Sequence, residues 1–477
     1  MIRRLTLFLI GVQCTIFLEA SLLRDSDLTL QKAIDQVFVE EEPNAVVGME
    51  VISLEDDRVI YQKNAEYRLI PASSIKVFIA GAALDVLGKE FCFETAFRGK
   101  LQSGIIKECS LVASGDPSLS FLDLEGLISK LKALGVNEIE GDLAVDLSVF
   151  DSVPMGPGWM WDEEPAFWCS PLAAFNVDHN CVEVTISPSL KVGHPCIASL
   201  GIDSQNIQIE CSAETVNAEN ALKVFRTESK DDRSIFKVEG ALSLKSHPKK
   251  FFLPVKVPEH YATDILKSLL KKNHITFRGE VTYLFAPREK MPVIAKHASA
   301  SLKELIQTML KESDNLFADA LFKKLGAVKY CLPGTWEKGR FAVRDFLIKR
   351  VGLDWKQMEV VDGCGLSRYN LLSAHQMVYF LKWMAKSSYA SQFQAALSVG
   401  GLDGTLKRRM QSPLLKANVR AKTGTMQGVT ALSGYLMTQQ GKTIAFAIFI
   451  NNYLKKGREI KLKIVDPILE ILANDAP

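Results

Sequence analysis

The chain has 477 residues, 47% hydrophobic and 23% charged, enough for two or three domains with cores of their own. A formal net charge of +2 and a pI near 8.0 supply no basic field, which excludes nucleic acid as an expected partner. No segment after residue 20 is long and apolar enough to cross a bilayer, and no CxxC or HExxH spacing marks a metal site.

Arg3 and Arg4 lead into an apolar run from Leu5 to Leu18, followed by the small residues Ala20 and Ser21. This is the pattern of a secretory signal peptide over residues 1–20. A spanning helix needs about 20 apolar residues, so cleavage near Ala20 is expected over an uncleaved anchor. Export opens the way to disulfides. Cys92 with Cys109, and Cys196 with Cys211, each flank a predicted hairpin, and their spacing fits a bridge or buried free thiols equally well.

The first predicted helix, Ser74 to Leu87, is apolar on almost every face and reads as buried. Ser73-Ser74-Ile75-Lys76 stands at its start. A serine with a lysine three residues on places hydroxyl and amine on one helical face, where the amine can take the hydroxyl proton. Ser129…Lys132, Ser234…Lys237, Ser246…Lys249 and Ser268…Lys271 share the spacing. Only Lys76 falls in the first turn of an apolar helix, where a cation is electrostatically misplaced.

Residues 96–289 follow as a β-rich stretch punctuated by Pro and Gly. Short strands such as Val182–Ile186, Ile207–Cys211, Ser234–Val238 and Ile275–Tyr283 accompany helices near 121–134 and 259–272. Ser301 with Glu304 forms a capping-box pattern that opens a helix predicted to run through Leu325 and to stop at Gly326. Ser313-Asp314-Asn315 falls inside it, offering a hydroxyl to relay a proton and an amide to hold a substrate. Residues 335–351, 373–386 and 456–473 carry helical periodicity. Ala421–Met426, Ala431–Met437 and Thr443–Asn451 read as consecutive antiparallel strands. The first of these carries Lys422-Thr423-Gly424-Thr425, a cation and two hydroxyls beside a glycine, suited to binding a carboxylate and to close approach of a substrate backbone.

The ordered set Ser-x-x-Lys, Ser-x-Asn, Lys-Thr-Gly resembles the active-site serine penicillin-binding proteins and β-lactamases. Further segments resemble the D-alanyl-D-alanine carboxypeptidase/endopeptidase family of the penicillin-binding protein 4 type (peptidase family S13). They are Ser114–Pro117, Gly158–Asp162, Asn176–Cys181, Asp362–Arg368 and Gly401–Leu406, in order over nearly the whole chain. Cys364 departs from the serine usual in that family, at a position that shapes the loop bearing Arg368 and is not expected to be catalytic.

The resemblance implies an α+β fold. A β-lactamase/transpeptidase-like domain, an antiparallel sheet flanked by helices with a helical subdomain, would be built from residues 21–95 and 290–477. Large β-rich inserted domains would occupy 96–289. It also implies that Ser73 attacks the penultimate D-alanine carbonyl with Lys76 as base. Ser313 would pass a proton to the departing D-alanine, Asn315 would hold the peptide amide, and Lys422 would stabilise nearby negative charge. Thr423, Gly424 and Thr425 would form the carboxylate-binding edge, and the N–H groups of Ser73 and Thr425 the oxyanion hole.

Asp162 or Glu163 beside Trp161, with Arg368, are candidates to read the diamino acid of the stem peptide; surface charges packed by tryptophans are the alternative. The implied partners are peptidoglycan peptides ending in D-Ala-D-Ala, and β-lactams, in the periplasm or cell envelope. No cofactor or metal is expected, and a peripheral membrane contact stays open. The competing readings are a serine β-lactamase and a non-catalytic wall-binding or β-lactam sensor protein. No Gly-x-Ser-x-Gly elbow supports a Ser/His/Asp hydrolase.

Overall fold

A computed structural model describes residues 25–163, 166–202, 204–227, 229, 231–287 and 291–476, without the side chains of residues 25–27 and 163. The predicted signal peptide lies outside the described residues. Among those described, no helix is long and apolar enough to cross a membrane.

Both ends of the chain contribute to one six-stranded antiparallel sheet. Helix α1 (Asp25–Glu41) precedes strands β1 (Val46–Ser53) and β2 (Val59–Lys63), and helix α2 (Lys76–Val86) follows. Beyond the middle of the chain come α3 (Leu302–Lys311), α4 (Asn315–Tyr330) and α5 (Ala374–Lys386). Then follow β3 (Ser398–Val399), β4 (Val419–Met426), β5 (Val429–Met437), β6 (Thr443–Asn451) and α6 (Asp466–Asp475). The sheet order is β3-β4-β5-β6-β1-β2.

Burial on both faces explains why β6 reads as an unbroken apolar run rather than an alternating one. Ile444, Phe446, Ile448 and Ile450 point into a core shared with α1 and α6, whereas Ala445, Ala447 and Phe449 point into the core of α2 and α5. Period-two alternation thus feeds two cores, and each fully buried large side chain contributes about 1.5–3 kcal/mol. The Gln427-Gly428 turn joins β4 to β5, with Gly428 at φ +70° as a tight two-residue hairpin requires.

The middle is more mixed than its β-rich sequence suggests. A seven-stranded sheet contains Glu94–Gln102, Ile105–Val112 and Val293–Ala298, and several of its neighbours pair in parallel. Parallel strands need long crossovers, supplied here by helices Phe121–Ala133 and Pro258–Lys272. Smaller sheets hold Cys181–Ser187, Ile197–Leu200 and Lys249–Pro254, and Ile207–Cys211 with Glu214–Val216, Ala221–Thr227 and Ser234–Ser243.

Three expectations are corrected. The helix expected over 301–325 is two helices: α3 ends at Lys311, Ser313 turns left-handed at φ +62°, and the Asp314 side chain caps α4 by accepting from Phe317 N at 3.0 Å. The cap won over helical periodicity because an aspartate before a helix satisfies an otherwise unpaired N–H. Gly326 does not stop α4, which runs to Tyr330; a Cβ there would lie 2.6 Å from Gly339 N, so the glycine permits close packing of helix Trp336–Phe346. The strand expected over Ile275–Tyr283 is split into Thr276–Phe277 and Val281–Leu284, with Gly279 pressed against the Gly141 carbonyl. The eight described cysteines form no disulfide.

Candidate active site

Ser73 sits in a single 3-10 turn, Ala72–Ile75, that runs straight into α2. Ala72 enters the turn at φ +46°, a left-handed conformation that costs about 1–3 kcal/mol for a residue with a Cβ and persists only where its surroundings enforce it. Two glycines supply that enforcement. A Cβ on Gly365 would lie 2.2 Å from Ala72 O, and one on Gly424 would lie 2.5 Å from Pro71 O. Gly424 therefore lets β4 press against the serine turn, where close approach of a substrate backbone had been expected of it. Gly424→Ala is expected to slow acylation roughly 100-fold and to cost about 1–3 kcal/mol of stability. Thermal unfolding together with fluorescent-penicillin labelling checks this, and a stable, normally reactive variant would contradict the packing assignment.

The three motifs converge on one cluster. Lys76 is fully buried; its Nζ donates to Ser73 Oγ at 2.9 Å, Asn315 Oδ1 at 2.6 Å and the Cys364 carbonyl at 2.6 Å. Ser73 Oγ also donates to the Cys364 carbonyl, at 3.2 Å. Lys422, equally buried, donates to Ser313 Oγ at 2.7 Å and to Thr423 O at 2.7 Å. Thr423 gives its hydroxyl proton to Thr405 Oγ1 at 2.9 Å, while Thr425 is exposed. Asn315 Nδ2 donates to the Trp168 carbonyl at 2.7 Å, which leaves its second N–H for a substrate.

Burial penalises both ammonium groups. It holds Lys76 below the usual lysine range, opposed by the Cys364 thiol and the carboxyls of Asp319 and Asp362. Burial lowers Lys422 further, helped by the positive charges of Lys76 and Lys461. A lysine held in this way can be a neutral base beside the serine it contacts.

Asp319 had no signature in the sequence, and Asp362 stood only at the start of a family-like segment, with no role assigned to it. Asp319, one turn after Asn315, accepts from Gly363 N at 2.9 Å and Cys364 N at 3.1 Å. Asp362 accepts from Gly365 N at 2.9 Å and Ser367 N at 2.8 Å. Burial and the nearby Asp362 push the Asp319 carboxyl up to about 8. Together these acids fix the strap whose Cys364 carbonyl receives the Lys76 proton donor. The Asp362–Arg368 segment could have pointed to the strap, but a backbone acceptor leaves no trace in residue identity. Cys364 itself packs inward, with its thiol raised well above the ordinary range by burial.

The remaining candidates lie at the rim. Arg368 Nη2 donates to Gln427 O at 3.1 Å, on the hairpin two residues beyond Thr425. Trp159 Nε1 donates to Asp362 Oδ2 at 2.9 Å, docking the Gly158–Asp162 segment on the strap, and Asp162 is exposed in the turn that follows. The Glu163 side chain lies outside the described residues.

A serine in hydrogen-bond contact with a buried lysine, a second lysine–serine pair beside it and an antiparallel sheet behind define a serine acyl-transfer enzyme of the β-lactamase/transpeptidase-like fold. The sequence profile of the D-Ala-D-Ala carboxypeptidase 3 (S13) family matches residues 30–474, and the chain belongs to that family. It is 32% identical over 423 residues to the D-alanyl-D-alanine carboxypeptidase DacB of Haemophilus influenzae, covering 87% of this chain and 88% of that one. It is 31% identical over 445 residues to the D-alanyl-D-alanine carboxypeptidase of Actinomadura sp. (strain R39), covering 89% and 81%. The crystal structure of penicillin binding protein 4 (dacB) from H. influenzae superposes with a TM-score of 0.82 at 30% identity, over 92% of this chain and 97% of that one.

Proposed function

We infer that this chain is a serine D-Ala-D-Ala carboxypeptidase acting on peptidoglycan stem peptides through a Ser73 acyl-enzyme. The observation that carries this is the buried Lys76 Nζ at 2.9 Å from Ser73 Oγ. Ser73 Oγ bonds to the carbonyl carbon of the penultimate D-alanine as its proton passes to Lys76. The negative oxygen rests on the N–H groups of Ser73 and Thr425. The C–N bond then breaks, Ser313 protonates the departing D-alanine amine, and the proton taken up by Lys76 replaces the one Ser313 gave, a transfer that Lys422, in contact with Ser313, favours. Thr425, joined by Thr423 once its hydroxyl turns away from Thr405, holds the terminal carboxylate, and the second N–H of Asn315 holds the peptide amide. Water cleaves the ester and regenerates Ser73. The same chemistry on a cross-link is a D,D-endopeptidase reaction, and on a β-lactam it leaves an acyl-enzyme; the H. influenzae relative has been solved in complex with a β-lactam.

The same reading places the protein in the cell envelope after export and treats residues 96–289 as an insertion into a catalytic unit of 21–95 and 290–477. Asp162, Glu163 and Arg368 would read the diamino acid of the stem; unchanged preference for free over amidated stems in the D162N/E163Q double variant would dismiss that role.

The test is release of D-alanine from a muropeptide ending in D-Ala-D-Ala and cleavage of a cross-linked dimer. Release supports the carboxypeptidase, rapid turnover of β-lactams in its place supports a β-lactamase, and reaction with none of them supports a sensor. The base must be neutral to act, so acylation is expected to rise with pH along a limb set by Lys76. Because burial lowers Lys76 from its ordinary 10.5, the midpoint of the rise should lie below that pH. Labelling rates between pH 5 and 9 measure it, and a rate still near its floor at pH 9 would remove Lys76 as the base.

A further inference from the structure

Asp314, the middle residue of the Ser313–Asn315 turn, has a second bond that the proposed reaction does not use. Its Oδ1 caps α4, and its Oδ2 meets His179 Nε2 at 2.9 Å. His179 comes from the middle of the chain, and its backbone is built for this reach. Asp178, His179 and Asn180 are left-handed in succession, at φ +49°, +57° and +56°. Such a run is costly without glycine and is held in place by its surroundings: Asp178 Oδ1 accepts from Phe121 N at 3.0 Å, and Asn180 Nδ2 donates to Pro171 O at 2.9 Å and Asn176 Oδ1 at 2.7 Å. The imidazole lies between two rings, with centroids 5.5 Å from Phe167 and 5.8 Å from Phe317. Phe317 is on α4, and Phe167 is in the turn before Trp168, whose carbonyl receives Asn315.

We propose that His179 is a positioning residue for acylation. It clamps Asp314 so that Ser313 and Asn315, on either side, stay aimed at Lys422 and Lys76. The proposal rests on the carboxypeptidase reading and assigns His179 a part in it. The turn needs an external clamp because Ser313 is itself left-handed at φ +62°, so the two-helix break would otherwise relax. The charged and titratable groups around the ring are Asp314 and Asp178, with Cys181, Glu183 and Tyr261 lining the adjoining cavity of about 630 Å³. The bond to Asp314 raises the His179 pKa above its ordinary 6.5, and the neutral ring can still donate from Nε2.

The clamp should also be visible in the titration of Lys76, which faces Asn315, Cys364, Asp319, Asp362 and Asp314. Asn315 Oδ1 stabilises the ammonium form, so a displaced Asn315 lowers the pKa of Lys76 and moves the acylation limb to lower pH. His179→Phe keeps an aromatic ring between Phe167 and Phe317 but has no nitrogen for Asp314. It is expected to lose roughly 10- to 100-fold in acylation by a fluorescent penicillin and in kcat for D-alanine release, with the limb shifted downward. His179→Gln, which keeps a donor, is expected to retain most of the rate. Glycine suits φ +57°, and the cavity admits a ring, so added imidazole is expected to restore part of the rate of His179→Gly. A His179→Phe protein with wild-type rate and limb overturns the clamp, as does equal loss in His179→Phe and His179→Gln with no imidazole rescue. A wild type that neither releases D-alanine nor is acylated overturns the proposed function and the clamp with it.

Discussion

Ser73→Ala is expected to abolish release of D-alanine and covalent labelling by penicillin, by roughly 10⁴-fold or more, while leaving the fold intact. The size of the effect follows from the chemistry: without Oγ there is no atom to form the ester, and nucleophile deletions in a studied serine protease cost ~10⁶ in kcat. The fold should survive because the deleted hydroxyl is partly exposed and makes replaceable contacts. Lys76 keeps Asn315 Oδ1 and the Cys364 carbonyl, and the turn is still enforced by Gly365 and Gly424. Labelled bands and released D-alanine, read beside a thermal unfolding curve, separate the two effects. Equal release by variant and wild type would dismiss Ser73 as the nucleophile, and unfolding of the variant would contradict the geometry of the turn.

Lys76→Met is expected to reduce acylation by roughly 10²–10⁴-fold, the span usual for loss of a general base, and to flatten its pH dependence. Stability should change little, for a physical reason particular to this site. A lysine whose pKa is depressed in the folded state penalises folding below its unfolded value of 10.5, because the ammonium must be desolvated. Methionine removes that penalty and fills a similar volume in a helix already buried from Lys76 to Leu84. Against this, Asn315 Oδ1 loses its donor, at about 1–3 kcal/mol. The opposed terms are similar in size, so the unfolding midpoint should move by a few degrees at most. A pH limb that persists in the variant would assign the base to another group, with Lys422 beside Ser313 the next to test.

Much of this site was legible because its chemistry violates local expectation. A lysine in the first turn of an all-apolar helix, with a serine before it, is visible in residue identity alone, since it carries a solvation cost that ordinary packing would avoid; the Lys422 strand was legible as a strand, and its burial was not. Strands β4, β5 and β6 were legible for the complementary reason: their apolar and β-branched runs have no other low-energy destination. The break at Ser313 was less so. Apolar spacing on either side continues the helical period, and only the cap by Asp314, reinforced by His179 far away in the chain, terminates α3 there. Gly326 and Gly424 show the same limit, because a glycine required by a neighbouring backbone looks in sequence like one required by a turn or a ligand.

The sequence by itself determined the buried helix that follows Ser73, the three motifs in their order, and membership of a family whose reaction matches them. Periodicity, side-chain chemistry and motif spacing are local properties that need no coordinates. Only the tertiary structure decided how those motifs meet. It set the Cys364 carbonyl under Lys76, bonded Thr423 to Thr405, pressed β4 against the serine turn and joined His179 to Asp314. Those contacts involve backbone atoms and pairs distant in the chain. Their partners are selected by close packing of whole elements, a sum over many weak contacts that no single residue encodes.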